Sequence, residues 1–145
     1  MTKHLFRISV TVLFVGCLSV VTASAQARTQ ELVASVPFAF SANHVMLPAG
    51  KYSVEIASHT SNLTIIKIKS ISGKASVLLQ LTDTTNPLAR LPRLVFQRYG
   101  QQIFLCEAWM GDGNSLRTIM SRAERQAWTK NANKTQIQTV SMAKK

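Results

Sequence analysis

Cysteine is almost absent from this chain: Cys17 lies in an apolar run near the N-terminus, and Cys106 stands alone in the remainder. Once that run is removed, no internal disulfide can form. The rest, roughly 120 residues, is long enough to bury a core without one. Cys106 sits in a strand pattern between Leu105 and Glu107, which is the setting of a buried, inert thiol. Histidine is scarce too. His44 and His59 lie beside turn residues with no cysteine or paired acid near them, so their spacing is not that of a metal site. Acids number only 6: Glu31, Glu55, Asp83, Glu107, Asp112 and Glu124. Glu55 and Glu107 fall on strand patterns, but nothing in the spacing pairs them for acid–base work. They are expected to balance Lys or Arg on a solvated face.

The familiar catalytic and cofactor motifs are missing as well. There is no G-x-S-x-G, no phosphate-cradling loop and no C-x-x-C. Gly111-Asp112-Gly113-Asn114 has the composition of a calcium turn without the ligand spacing. No cofactor or catalytic residue is therefore assigned. Asn62 and Asn133 open glycosylation sequons, which matter only in a eukaryotic secretory pathway. Aromatic residues are few at 7%. Of the larger polar ones, Tyr52, Trp109 and Trp128 are expected in the core, with Tyr99 the one left open for stacking.

Long hydrophobic runs are limited to Ile8–Val21, which is short of the about 20 residues that a spanning helix needs. Lys3, His4 and Arg7 precede it and Ala23-Ser24-Ala25 follows, the pattern of a secretory signal cleaved after residue 25, or after Ala27 as second choice. Gly16-Cys17 does not make a lipoprotein site, because Phe14 is poor ahead of that pair and apolar sequence continues through Val21. The expected organisation is a signal peptide over 1–25, a lead-in over 26–34, a β-domain over 35–130 and a basic flexible tail over 131–145. No transmembrane span remains once the signal is gone, and the compartment is periplasmic or secreted.

What the chain has in plenty is positive charge. Lys and Arg total 17, for a formal +11 that falls to +9 when Lys3 and Arg7 leave. Such a protein attracts polyanions without choosing among them. The basic end, Arg117, Arg122, Arg125, Lys130, Lys134, Lys144 and Lys145 against Glu124 alone, is a candidate contact for anionic envelope polymer or lipid headgroups. No specific nucleic-acid contact is indicated.

The centre of the mature chain is the stretch Arg93–Trp109, where two β-rich runs flank Gly100. A Gly100-Gln101 loop sets Phe96 opposite Leu105. A Tyr99-Gly100 loop pairs Phe96 with Ile103 and Leu94 with Leu105, and is preferred for its apolar cross-strand pairs. Earlier, Val36–Phe40 reads as a strand start, since Pro37 suits an edge. Val45–Leu47 and Lys51–Ala57 read as a hairpin across Pro48-Ala49-Gly50. Leu63–Ile71 and Ala75–Thr82 form another across Ser72-Gly73-Lys74, with Lys67 and Lys69 marking the first as an edge strand. Asn86-Pro87 starts a turn in a loop. Leu116–Met120 is ambiguous. Ser121 and Glu124 form a capping-box pattern for one helix over 121–130, with Ala123, Ala127 and Trp128 inward. Past Lys130 apolar residues are too sparse for structure, so removing 131–145 should leave stability nearly unchanged.

About seven short, turn-separated strands and one short C-terminal helix indicate an all-β fold, a small antiparallel sandwich or partly open barrel. An outer-membrane barrel would need spanning strands of about 9–11 residues, and most runs are shorter.

Four motifs together carry a resemblance: Val36-Pro37-Phe38-x-Phe40, Leu47-Pro48-Ala49-Gly50-x-Tyr52-x-Val54, Leu94-Val95-Phe96-x-Arg98-Tyr99-Gly100, and Ser121-Arg122-x-Glu124. With Phe104-Leu105 and Trp109 they make residues 35–128 similar to a family of short exported bacterial β-proteins of unassigned function. The resemblance implies a signal-bearing β-domain and brings no substrate, cofactor or catalytic residue. The expected function is a non-catalytic β-domain with a structural or binding role in the cell envelope. The alternative is an envelope hydrolase or isomerase with residues dispersed over strands, which a deep polar cleft joining His44 or His59 to an acid would favour.

Overall fold

Buried and open positions alternate along most of the strands, and the sheet closes on itself so that the buried rows meet. A computed structural model describes residues 30–61, 63–85, 90–131 and 134–145. Residues 1–25, the expected signal peptide, and Asn62, Asn86-Pro87 and Asn133 lie outside the described residues. Among the described residues the strands are β1 (Leu32–Val36), β2 (Phe40–Ala42), β3 (Val45–Leu47), β4 (Gly50–Thr60), β5 (Leu63–Ser70), β6 (Ser76–Thr85), β7 (Arg93–Tyr99), β8 (Gln102–Trp109), β9 (Asn114–Thr118) and β10 (Thr135–Lys144), with one helix, α1 (Arg122–Asn131).

Eight of them form a closed antiparallel barrel in the order β1-β4-β5-β6-β9-β8-β7-β10, with β10 pairing back to β1. The described residues form an all-β fold with one short helix, in line with the sequence, but the barrel is closed and has eight strands with two more outside it, in place of a sandwich or a partly open barrel of about seven. A barrel of this strand number has an interior just wide enough for side chains to fill. Leu32, Val54, Ile66, Ile68, Leu81, Leu94 and Leu116 do so. Lys51, Lys67 and Lys69 project from the opposite faces of β4 and β5. Apolar inside and charged outside is the reverse of a membrane-spanning barrel.

β2 and β3 stand outside the ring as a flap. Ala42 and Val45 close their hairpin around Asn43-His44, and β2 touches β8 through Ser41 and Phe104. Val45–Leu47 therefore pairs with β2 and not with β4, whose neighbours are β1 and β5. Phe38 and Phe40 bring the flap onto the core. Phe96 meets both rings edge-on at 5.1 Å, and Phe40 meets Tyr52 at 5.5 Å. The Tyr52 hydroxyl donates to the Pro48 carbonyl. These contacts assign packing roles to Phe38, Phe40, Pro48 and Tyr52.

Three further expectations are corrected. The segment 131–145 is not a flexible tail through its length, because Thr135–Lys144 is a strand between β7 and β1. Leu32–Ala34 belong to β1 and not to a lead-in. β5 is an inner strand, and the Lys67 ammonium lies 3.2 Å from Glu55 directly across the ladder, so its charge is balanced within the sheet.

The central hairpin takes the register set by a Gly100-Gln101 loop, Phe96 opposite Leu105 and Gln97 opposite Phe104, and not the preferred alternative. Gly100 has φ +63°, as a type II′ turn requires of its first central residue. Apolar matching along the whole hairpin misleads because the ladder slips between Val95 and Phe96, leaving Cys106 as an extra residue on β8. This bulge puts Cys106 and Glu107, neighbours in sequence, on the same outer face.

Candidate functional site

The outer surface around α1 gathers the chain's polar chemistry. Ser121 caps the helix, its hydroxyl accepting from the Glu124 amide at 3.1 Å. The Glu124 side chain turns inward and is only 4% exposed, packing beside Ala127 against the barrel. Ala123 is exposed and Trp128 is 49% exposed, so neither lies on the inner stripe. Arg122, Arg125, Gln126, Thr129 and Lys130 follow helical spacing along the outward ridge.

Beneath the helix, Tyr99 and Phe104 pack on Ala127 with Cys106 at their edge. Tyr99 is thus buried, not free for stacking, and its hydroxyl donates to Gln97. Burial, with Cys106 and Glu124 beside it, pushes its pKa up to about 12. The Cys106 thiol donates to the Glu124 carboxylate at 3.2 Å. Burial and the adjoining Glu124 hold that thiol far above its ordinary range. Such a group is a protonated thiol and not a nucleophilic thiolate at neutral pH. Burial also raises the Glu124 carboxyl, despite hydrogen bonds from Cys106 and the Ser121 cap.

Next to this pair runs a groove of about 580 Å³ crossing β7, β8 and β9. Its charged residues are matched across the ladder. Arg93 stacks over the Trp109 ring opposite it at 3.5 Å. Glu107 accepts from Trp109 Nε1 at 3.0 Å and from Arg117, also directly opposite, at 2.6 and 3.1 Å. Burial pushes the Glu107 carboxyl up, but the hydrogen bonds from Trp109 and Arg117 outweigh it and leave the group lowered. Glu55 and Glu107 both balance basic side chains, and each has a different partner.

A second groove, of about 470 Å³, lies on the other side of the β9–α1 connector. It lies where β9 ends at Thr118 while β8 runs on, so that beyond the β8–β9 ladder this edge of β8 has only the single bridge from Phe104 to Ser41. The Thr118 hydroxyl donates to the carbonyls of Leu105 and Cys106, each at 3.1 Å, and fixes the connector there. Ile119 and Met120 follow, 66% and 38% exposed. Asn43 and His44 of the flap form the facing wall, with Arg122 at the rim.

The seven basic residues singled out in the sequence are not one patch. Arg122, Arg125 and Lys130 share the helix ridge, and Lys134 follows just before β10. Lys144 and Lys145 lie about 33 Å away along that strand, and Lys145 pairs with Glu31 at 3.1 Å. Arg117 is bound to Glu107. The histidines each have an acid in the neighbourhood. His44 shares its groove with Glu124. His59 Nδ1 lies 2.7 Å from the Thr64 hydroxyl and 3.6 Å from Asp83. Thr64 donates to Asp83 at 2.8 Å but is 1% exposed, so this cluster ties β4, β5 and β6 together and presents no accessible nucleophile. Among the described residues, no group of three or more His, Cys, Asp and Glu side chains is placed to hold a metal.

Sequence reasoning missed the Cys106–Glu124 pair and the exposed Ile119-Met120. The first depends on the bulge, which has no local signature. The second was legible as two apolar residues directly before a helix cap. Comparison with protein-family models, with curated proteins and with solved structures finds no match to this chain.

Proposed function

We propose that the protein is an exported, non-catalytic β-barrel module that binds anionic envelope polymer or lipid headgroups through the outward ridge of α1. The observation that carries this reading is the ridge itself. Arg122, Arg125 and Lys130 share one face, and none forms an ion pair among the described residues, whereas Arg117, Lys67 and Lys145 do. Trp128 flanks the ridge, half exposed, and tryptophan is favoured at headgroup depth. Each cation near an anionic surface contributes about 1 kcal/mol. Three give a weak, reversible and salt-sensitive attachment.

A dispersed hydrolase or isomerase receives less support. The Thr64 hydroxyl beside His59 is buried, and Glu124, the acid that shares the His44 groove, is buried and engaged by the Cys106 thiol.

The test is cosedimentation of the exported protein with phosphatidylglycerol vesicles and with lipopolysaccharide across a salt series. Binding is expected at low salt, with a steep decline as salt rises. Arg122→Glu with Arg125→Glu and Lys130→Glu should abolish it, while Lys144→Glu with Lys145→Glu should leave most of it. Equal binding by the ridge variant, or no binding of any form at low salt, overturns the reading.

A further inference from the structure

We infer that the groove between the flap and the β9–α1 connector seats one acyl chain of an anionic phospholipid, with the headgroup phosphate against Arg122 and His44. This rests on the anionic-surface reading and gives it a lipid class and a binding mode.

The groove is apolar along its floor and polar along one rim. Phe104 and Leu105 of β8 and Leu79 of β6 lie at its floor, each at most 4% exposed, so the accessible apolar surface comes chiefly from the connector. Ile119 and Met120 line the wall, and both remain open to solvent although they immediately precede a capped helix. On the flap, Met46 stands opposite Ser41 and is 64% exposed, and the Ser41 hydroxyl, which lines the groove, donates to its sulfur at 3.8 Å. A volume of about 470 Å³ is in the range of small-ligand sites.

Charge decides which amphiphile fits. Arg122 belongs both to this groove and to the cationic ridge, so the two surfaces are continuous. His44 adds a ring N–H donor, and Asn43 an amide. Glu124 also borders the groove, but its carboxylate is buried and engaged by Cys106, so it presents little charge to the rim. A phosphate entering beside Arg122 places its glycerol toward the ridge and its chain toward Phe104. A zwitterionic headgroup brings the same phosphate but adds a quaternary ammonium, which Arg122, Arg125 and Lys130 repel, so it fits this rim less well.

The experiment uses the exported protein labelled at isoleucine and methionine methyls, titrated with lysophosphatidylglycerol below its micellar concentration and followed by NMR. Saturable shifts of the Ile119 and Met120 methyls are expected. Glycerol 3-phosphate alone should leave those methyls unmoved, and lysophosphatidylcholine should bind about tenfold more weakly. Ile119→Asp and Met120→Asp should each weaken binding at least about tenfold without moving the unfolding midpoint, since both side chains are exposed.

Lys130→Glu, on the ridge but outside the groove, should weaken vesicle binding and leave the lysolipid affinity unchanged. Vesicle binding without lysolipid shifts at Ile119 and Met120 overturns the groove and spares the ridge. Lysolipid binding without vesicle binding does the opposite. Unchanged affinity in Ile119→Asp, equal binding of the zwitterionic lysolipid, or a self-associated dimer that covers these methyls each overturns the inference.

Discussion

Cys106 donates its thiol hydrogen to Glu124 across 3.2 Å, joining the bulge of β8 to the first turn of α1. The pair fixes the helix that carries the cationic ridge, and it does so with a carboxyl whose burial disfavours its charge. The folded-state pKa of Glu124 lies above its unfolded value. Its favourable contribution is therefore fully present below the unfolded pKa and is lost as pH rises through the folded one. Glu124→Gln keeps an oxygen acceptor for the thiol and removes the charge. The variant should gain stability relative to the parent as pH is raised from about 4 to about 8, measured by urea midpoints. Glu107 is lowered and acts in the opposite direction, losing its contribution as pH falls, but both proteins share it. A constant difference across that window would show that Glu124 is not held toward its neutral form.

The same pair governs thiol reactivity. With burial and Glu124 raising its pKa, Cys106 should react with an aromatic disulfide reagent far more slowly in the native protein than in urea. Glu124→Gln removes the charge repulsion but not the burial, so it should accelerate the reaction only modestly. Labelling of the native parent at the rate of the unfolded chain would mean that the helix does not cover this thiol.

Strand β10 closes the barrel with very few apolar residues, and of its ten only Met142 is buried. It is held by its ladder, seven residues against β7 and three against β1, and by the Met142 amide donating to the Pro92 carbonyl at 2.9 Å. Deleting 135–145 leaves two raw edges and uncovers part of the core. Burial of Met142 alone is worth about 1.5–3 kcal/mol, so the truncation should lower stability by at least that much. A midpoint unchanged from the full chain would sink the closed-barrel account.

What was legible in the sequence was local. Lys51–Ala57, Leu63–Ile71 and Ala75–Thr82 alternate clearly enough to place β4, β5 and β6, and Ser121 announced the helix. Their partners were harder, because closure is decided between distant segments. Thr135–Lys144 shows no apolar row, since its outward face is exposed with Ile137 as its one large apolar residue and its inward row has only Met142 fully buried. Ser121-x-x-Glu124 reads as a reciprocal cap, but the spacing does not show that the Glu124 carboxyl is also buried and takes a hydrogen bond from Cys106. The motif residues Val36, Phe40, Leu47, Tyr52, Val54, Leu94 and Phe96 all lie in the core. Those motifs describe how the barrel packs. The basic ridge was visible as charge, but its separation from Lys144 and Lys145 required the strand that carries them.

Gly100 offers the sharpest test of the hairpin. Its φ of +63° is one that a β-branched residue adopts badly, and a Cβ there would come 3.0 Å from Asn131 Oδ1 at the end of α1. Gly100→Val should therefore reduce stability by about 1–3 kcal/mol. Two causes contribute, and a double variant separates them. Asn131→Ala opens the space above the turn but also removes the Asn131 side-chain amide that donates to the Ala127 carbonyl at 3.0 Å. Measured against Asn131→Ala alone, Gly100→Val should still show most of its loss, because the backbone strain remains. If the loss vanishes in that background, the contact with α1 and not the turn geometry is what requires glycine. An unchanged denaturant midpoint in the single variant would mean that the turn is not built on Gly100.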